Sequence, residues 1–294
     1  MHGSSRRRRA FTMLELAVVL ILAAVAAVLL LPALGRTKCG ARGMKDASQI
    51  RGVMQGLVVW AQNNKDSYPL PSALDLDNTT TSEQGRAKDH TANILSLLIY
   101  NGFVPVDLLV SPAEANPNIE PFANYQFGNP QAAADPSKAL WDPAFSVDFI
   151  KGKGGTSYAH LQPTTPRIDT LWKPTFNASE AVLGNRGPQV TAVQATETDV
   201  TVTVANPDSV TNLIHGSRTS WEGHIGFNDN HVDSLMTLDW NTMQPKPTYL
   251  STSGKRLVDV AVFDEPDDAE GTNSFLGIFT TAGEQPQDWT AIWD

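Results

Sequence analysis

The sequence predicts an α+β fold in which a long N-terminal helix, membrane-spanning in its first part, packs on an antiparallel β-sheet body. Three observations carry this reading. Every residue from Leu16 to Leu31 is apolar. Ile50, Val53, Met54, Leu57 and Ala61 recur at spacings of three and four, the repeat of one helix face. Val200, Val202 and Val204 alternate with Thr201 and Thr203 at the repeat of a strand.

Taken in order, the apolar run with its neighbours Met13, Leu14, Ala33 and Leu34 approaches the roughly 20 residues that cross about 30 Å of hydrocarbon. Residues 11–34 therefore read as a transmembrane helix. Residues 35–65 continue it as an amphipathic helix, and Asn63-Asn64-Lys65-Asp66 supplies a polar stop. The body, residues 66–294, begins with the turn-rich Tyr68-Pro69-Leu70-Pro71 and then predicts a second helix over Thr91 to Tyr100, ended by Asn101-Gly102. From Ser111 to Pro188 the abundance of Pro, Asn and Gly predicts a loop-rich wrap with a few short strands. Strands follow at Val200 to Val204, Leu257 to Phe263 and Phe275 to Phe279.

Charge is segregated along the chain. The formal net charge is −9, yet Arg6 to Arg9 stand together with no acid before Glu15, and residues 35–65 hold six bases against the single acid Asp46. The rest carries 12 bases and 29 acids. An acidic body does not displace counterions from a phosphate backbone, so no nucleic-acid partner is expected. The single cysteine, Cys39, excludes an intramolecular disulfide and any site of several thiolates.

Several N-terminal signals compete for the apolar run. A secretory signal would be cut near Ala24-Val25-Ala26, a twin-arginine signal would use Arg8-Arg9, and a plain signal anchor would need no acid. Glu15 separates them, because a carboxylate in an apolar helix needs a partner. The residues Arg9-Ala10 and Phe11-Thr12-Met13-Leu14-Glu15-Leu16, followed by the apolar run, resemble the prepilin signal of type IV pilins and type II secretion pseudopilins. The resemblance implies a pilin-like fold and a leader, residues 1–10, removed by a prepilin peptidase that also methylates the amine of Phe11. Ala10 stands where the family usually has Gly. Glu15 would pair with the N-terminal amine of a neighbouring subunit, and Pro32 stands where many pilins carry a proline. The resemblance further implies a single-pass bacterial inner-membrane protein with a cytoplasmic N-terminus and an extracytoplasmic body. Its partners would be other pilin or pseudopilin subunits and a secretion or pilus assembly platform. Asp66-Ser67-Tyr68-Pro69, Ser111-Pro112-Ala113-Glu114, Asn185-Arg186-Gly187-Pro188 and Trp221-Glu222-Gly223-His224 also look like recurring blocks of prepilin-type proteins. So does the segment Asn228 to Val232, although Asn230 replaces a glycine common there and thirteen residues separate His215 from Asp229.

Two clusters could hold metal. His224 and His231 flank the turn Asn228-Asp229-Asn230 and could place two imidazoles on zinc across a hairpin. The acidic run with Asp264, Asp267 and Asp268 offers hard oxygen donors to calcium, and major pseudopilins hold calcium in a C-terminal loop. No cofactor is otherwise expected. Lys151 to Thr156 does not match a phosphate loop, and Ser157-Tyr158-Ala159-His160 lacks the nucleophile-elbow glycines, so no catalytic residue is expected. The function read from the sequence is that of a structural subunit of a pilin-like filament, most like a secretion pseudopilin. The alternatives are a minor pilin binding a ligand through exposed Trp and Tyr, and a signal-anchored extracytoplasmic hydrolase or binding protein.

Overall fold

The computed structural model describes residues 13–240, 243 and 246–294, without the side chains of residues 14, 15 and 23–39. Two compact units emerge, Met1–Gly43 and Met44–Asp294. Helix α1 (Met13–Asn63) ends where the polar stop predicts. Among the described residues no helix is long and apolar enough to cross a membrane. From Gly40 to Asn63 helix α1 carries Arg42, Lys45, Asp46 and Arg51, which interrupt any apolar window. This overturns the transmembrane helix expected over residues 11–34, and with it the single-pass inner-membrane location. The α+β class stands. Ala10 and Phe11 lie outside the described residues, as do the side chains of Glu15, Pro32 and Cys39.

The second unit is built on a five-stranded antiparallel sheet. Its strands are β1 (Tyr158–Leu161), β2 (Ala181–Asn185), β5 (Gly223–Phe227), β6 (Val232–Leu235) and β9 (Leu276–Gly277), in the order β6-β5-β2-β1-β9. Strands β3 (Val190–Ala195) and β4 (Val200–Val204) form a separate hairpin, as do β7 (Thr248–Leu250) with β8 (Arg256–Val258) and β10 (Phe279–Thr281) with β11 (Thr290–Ala291). Among the described residues there are, besides α1, two single-turn helices, α2 (Pro71–Leu74) and α4 (Arg167–Thr170), and the ten-residue α3 (Thr91–Tyr100). Helix α3 stops at Asn101-Gly102 because Gly102 takes φ +77°, a left-handed turn that closes the helix end.

Burial explains the packing of α1 within this unit. Ile50, Val53, Met54, Leu57 and Ala61 are all at most 2% exposed, so the three-and-four stripe is the face laid on the sheet. Gly226 of β5 makes that approach close. A Cβ there would lie 3.1 Å from both Ile50 Cγ2 and Met54 Cγ, tighter than ordinary contact. Side chains alternate along a strand, so His224 shares this α1-facing side of β5 with Gly226.

Two expected strands are shorter than their apolar runs. The run Leu257 to Phe263 leaves strand structure after β8, since Phe263 N–H turns back to Val260 O at 2.9 Å. The Phe275 to Phe279 run divides between β9 and β10. The loop-rich middle supplies β1 and β2, whose residues are all buried at the centre of the sheet.

Candidate functional site

Asp46 sits on the buried face of α1, one turn before Ile50, and is completely buried. Its carboxylate joins three other segments. Oδ1 accepts a hydrogen bond from the Tyr158 hydroxyl of β1 at 2.8 Å. Oδ2 lies 2.8 Å from His215 Nε2, on the turn after the 3-10 segment Val210–Leu213, and 3.0 Å from His224 Nδ1 of β5. The two imidazoles meet edge to face, with centroids 4.7 Å apart at 87°. Asn185 at the end of β2 steadies the site, its Oδ1 accepting from the His224 backbone N–H at 2.7 Å.

The electrostatics follow from this geometry. Burial alone would push the Asp46 carboxyl up, but hydrogen bonds from His215, His224, Ser111 and Tyr158 hold it well below the usual carboxylate range. Burial, reinforced by the Asp46 charge, pushes the Tyr158 hydroxyl up, so Tyr158 stays a neutral donor. An ionised carboxylate only accepts, so the protons in the two imidazole contacts reside on His215 Nε2 and His224 Nδ1. Among the described residues neither imidazole hydrogen-bonds a serine, threonine or cysteine side chain, so the cluster lacks the nucleophile-to-base contact of a hydrolytic triad. One ligand atom from each of Asp46, His215 and His224 does lie within 4.8 Å of the others, and the three together could hold a metal ion.

The metal ligands expected from sequence are not brought together. His224 and His231 lie on opposite faces of the β5–β6 hairpin. In register, His224 faces Ser234, while His231 closes the hairpin opposite Phe227, three residues further along β5. An odd step along a strand reverses the side, so His231 stacks on Phe227 at 4.6 Å and hydrogen-bonds Asp229, while His224 turns to Asp46. The calcium ligands diverge as well. Asp264 pairs with Arg167; Asp267 accepts from Tyr249 Oη at 2.7 Å; Asp268 accepts from the backbone N–H groups of Glu270 and Asn273 at 3.0 and 2.6 Å. Each carboxylate satisfies its own donors, and nothing in this arrangement supports calcium.

Sequence reasoning missed Asp46, His215 and Tyr158 as partners. Asp46 carried a signal, being an acid on the apolar stripe at one helical turn from Ile50. His215 and Tyr158 come from separate parts of the chain and carried none. The aromatic residues named for the ligand-binding alternative are mostly enclosed. Six of the seven tryptophans are buried and Trp293 is half-buried, and none of the five tyrosines is exposed.

The segments resembling prepilin-type blocks do meet in space. Tyr68 Oη donates to Asn228 Oδ1 at 2.7 Å. Arg186 forks onto Glu114, and Trp221 Nε1 donates to the Arg186 carbonyl at 3.1 Å.

Just after β8, ahead of the acidic run, lies one more buried group. Asp259 accepts from Ser274 N–H at 2.7 Å through Oδ2, but Oδ1 has no partner. Burial pushes its carboxyl up to about 7, against the nearby Arg167, and burial together with the Asp259 charge raises Glu265 also. A carboxyl whose folded pKa exceeds its unfolded value stabilises the fold when protonated, and that stability is lost as pH rises through the folded pKa. Stability is therefore expected to rise by at least about 1 kcal/mol between pH 8 and pH 5, and Asp259→Asn to flatten this profile. Urea unfolding of both chains across that range checks it. Equal slopes would remove Asp259 as the source.

Comparison with protein-family models, curated proteins and solved structures finds no match, so nothing there ties the chain to pilins, to pili or to protein secretion.

Proposed function

We propose that the chain is a structural subunit of a type IV pilin-like filament, associating through the N-terminal part of α1 and displaying the β-sheet unit. The observation that carries this reading is the exposure of apolar side chains at Met13, Leu16 and Val18 to Leu22. Met13 is 86% exposed, and Leu20, Ile21 and Leu22 are 62–63% exposed. Val18 to Leu22 are consecutive, so they cover every side of the helix instead of one stripe. A helix apolar all round is stable only when surrounded, and equivalent helices of further copies supply matching apolar surfaces. Cleavage after Ala10 would give Phe11 a free amine four residues before Glu15. Pairing of that amine with Glu15 of a neighbour would neutralise the one acid of this stretch and set the stagger between copies.

Electron microscopy and sedimentation of the full chain, expressed in a host with a prepilin peptidase, test the reading. Wild type is expected to form filaments whose subunits begin at methylated Phe11. Glu15→Ala and Ile21→Lys are each expected to reduce filament yield at least tenfold while the β-sheet unit keeps its circular dichroism. Wild-type yield from both variants, or subunits retaining Met1, would overturn it.

A further inference from the structure

The Asp46, His215 and His224 cluster has the composition and placement of a metal site, separate from the part of α1 to which assembly is assigned. Its donors are two imidazole nitrogens and one carboxylate oxygen, the set that zinc and its first-row neighbours take in three-ligand sites with a further position left open. Calcium and magnesium favour all-oxygen shells and do not suit it. The two oxygen–nitrogen separations are close to what coordination requires, and all three ligand atoms lie within 4.8 Å of one another. Ligands about 2.0–2.1 Å from a four-coordinate ion stand roughly 3.3 Å apart, and Asp46 Oδ2 is already 2.8 and 3.0 Å from the two nitrogens. The ion would take the place of the two bridging protons, each neutral imidazole shifting its proton to its other ring nitrogen, and each oxygen–nitrogen pair would spread by a few tenths of an ångström.

The groups around the ligands also fit. The Tyr158 hydroxyl occupies Asp46 Oδ1, so that only Oδ2 faces the imidazoles, the arrangement by which an outer hydrogen bond fixes a ligating carboxylate. Asp46 is fully buried, whereas the imidazole side chains are 11% and 10% exposed, which leaves a narrow approach from solvent on the histidine side. The two histidines lie 169 and 178 residues from Asp46 in sequence.

We infer that Asp46 Oδ2, His215 Nε2 and His224 Nδ1 bind one divalent transition-metal ion of the zinc type, with a solvent molecule completing the shell. The ion would fasten the Asp46 turn of α1 to β5 and to the turn carrying His215.

Cobalt(II) titration of the chelator-treated full chain tests the inference, because low-coordinate Co2+ has intense visible bands that the hexa-aqua ion lacks. One equivalent is expected to produce them, and one equivalent of Zn2+ to bleach them. His215→Gln and His224→Gln are expected to abolish the bands, and His231→Gln to leave them unchanged. Tyr158→Phe is expected to weaken binding about 10–100-fold, the usual effect of losing an outer-shell partner. Absence of bands at millimolar Co2+, or bands that survive in His215→Gln, would overturn the site and leave the cluster as a proton-bridged ion network. If the glutamine variants do not fold, 15N-histidine spectra of the wild-type chain decide. Zn2+ must shift His215 Nε2 and His224 Nδ1, and shifts confined to other histidines reject the proposal.

Discussion

Replacement of Asp46 by alanine is expected to lower the stability of the folded chain by about 3–5 kcal/mol, the range for removing one member of a buried charged network. The size of the effect comes from what is left behind. Tyr158, His215 and His224 all direct protons at this carboxylate, and Tyr158 is completely buried. Alanine offers none of them an acceptor, and even the two imidazole side chains are only 11% and 10% exposed. Asp46→Asn is the informative companion. Its oxygen can still accept from the imidazoles and its amide nitrogen can donate to the Tyr158 oxygen, so the packing survives while the charge and the acceptor for the Tyr158 O–H are lost. A loss of about 1.5–3 kcal/mol is expected, the worth of hydrogen bonds to a charged group.

The pH dependence separates the two variants from the wild type. The Asp46 carboxyl is held below its ordinary range in the folded state, so its contribution is present above the unfolded pKa of about 3.9 and is lost as pH falls below that value. Wild type should lose stability on acidification below about pH 4, and both variants should lose less over the same interval. Guanidinium unfolding at constant ionic strength measures this. An Asp46→Ala chain as stable as wild type at pH 7 would mean that the carboxylate is not the hub that the geometry makes it.

Helices were the most legible part of this chain. The ends of α3 and the C-terminal end of α1 fall where turn chemistry places them, since an Asn-Gly step and a polar run each stop a helix locally. The stripe Ile50 to Ala61 was legible for the same reason. Strands β1 and β2 were not, because Tyr158-Ala159-His160-Leu161 and Ala181-Val182-Leu183-Gly184-Asn185 are short and lie within polar, proline-rich surroundings. Only pairing with β9 and β5, far away in sequence, makes them central. Over residues 257–263 the apolar run did not become one strand. There the backbone N–H of Val260 is taken by the Glu265 carboxylate and that of Leu276 is donated to Ala261 O, contacts that no local pattern announces.

The site was half legible. Sequence spacing drew attention to His224, and the hairpin turn beside it exists, but hairpin parity sends His231 to the other face. The partners of His224 enter from α1 and from the His215 turn, with Tyr158 of β1 bound to the same Asp46. Asp46 could have been suspected as the acid interrupting an apolar face, yet its partners are set by tertiary packing alone. The scattered prepilin-like blocks behave similarly. Glu114 and Arg186 attract little notice singly, and their meaning is a contact across 72 residues.

That contact supports the second large effect. Arg186→Met is expected to destabilise the chain by about 3–5 kcal/mol. Arg186 is buried, its Nε and Nη2 reach the two Glu114 oxygens at 3.2 and 2.6 Å, and its Nη1 donates to Thr211 Oγ1 at 3.0 Å and to Asp294. Its guanidinium carbon also lies 5.2 Å from the Phe149 ring centre. Burial works against this charge, and Glu114 and Asp294 more than restore it. Methionine fills much of the volume but strands Glu114, whose side chain is only 4% exposed, without a cation. Lysine keeps the charge yet cannot fork onto two oxygens, so Arg186→Lys should retain only part of the stability. The double variant Glu114→Gln, Arg186→Met removes the stranded charge together with its partner. It should therefore be more stable than Arg186→Met alone, with a coupling of at least about 1 kcal/mol in a double-mutant cycle. Urea midpoints for the four chains measure that coupling. Strict additivity would show that burial of Glu114 and Arg186 is set by the surrounding packing and not by their pairing.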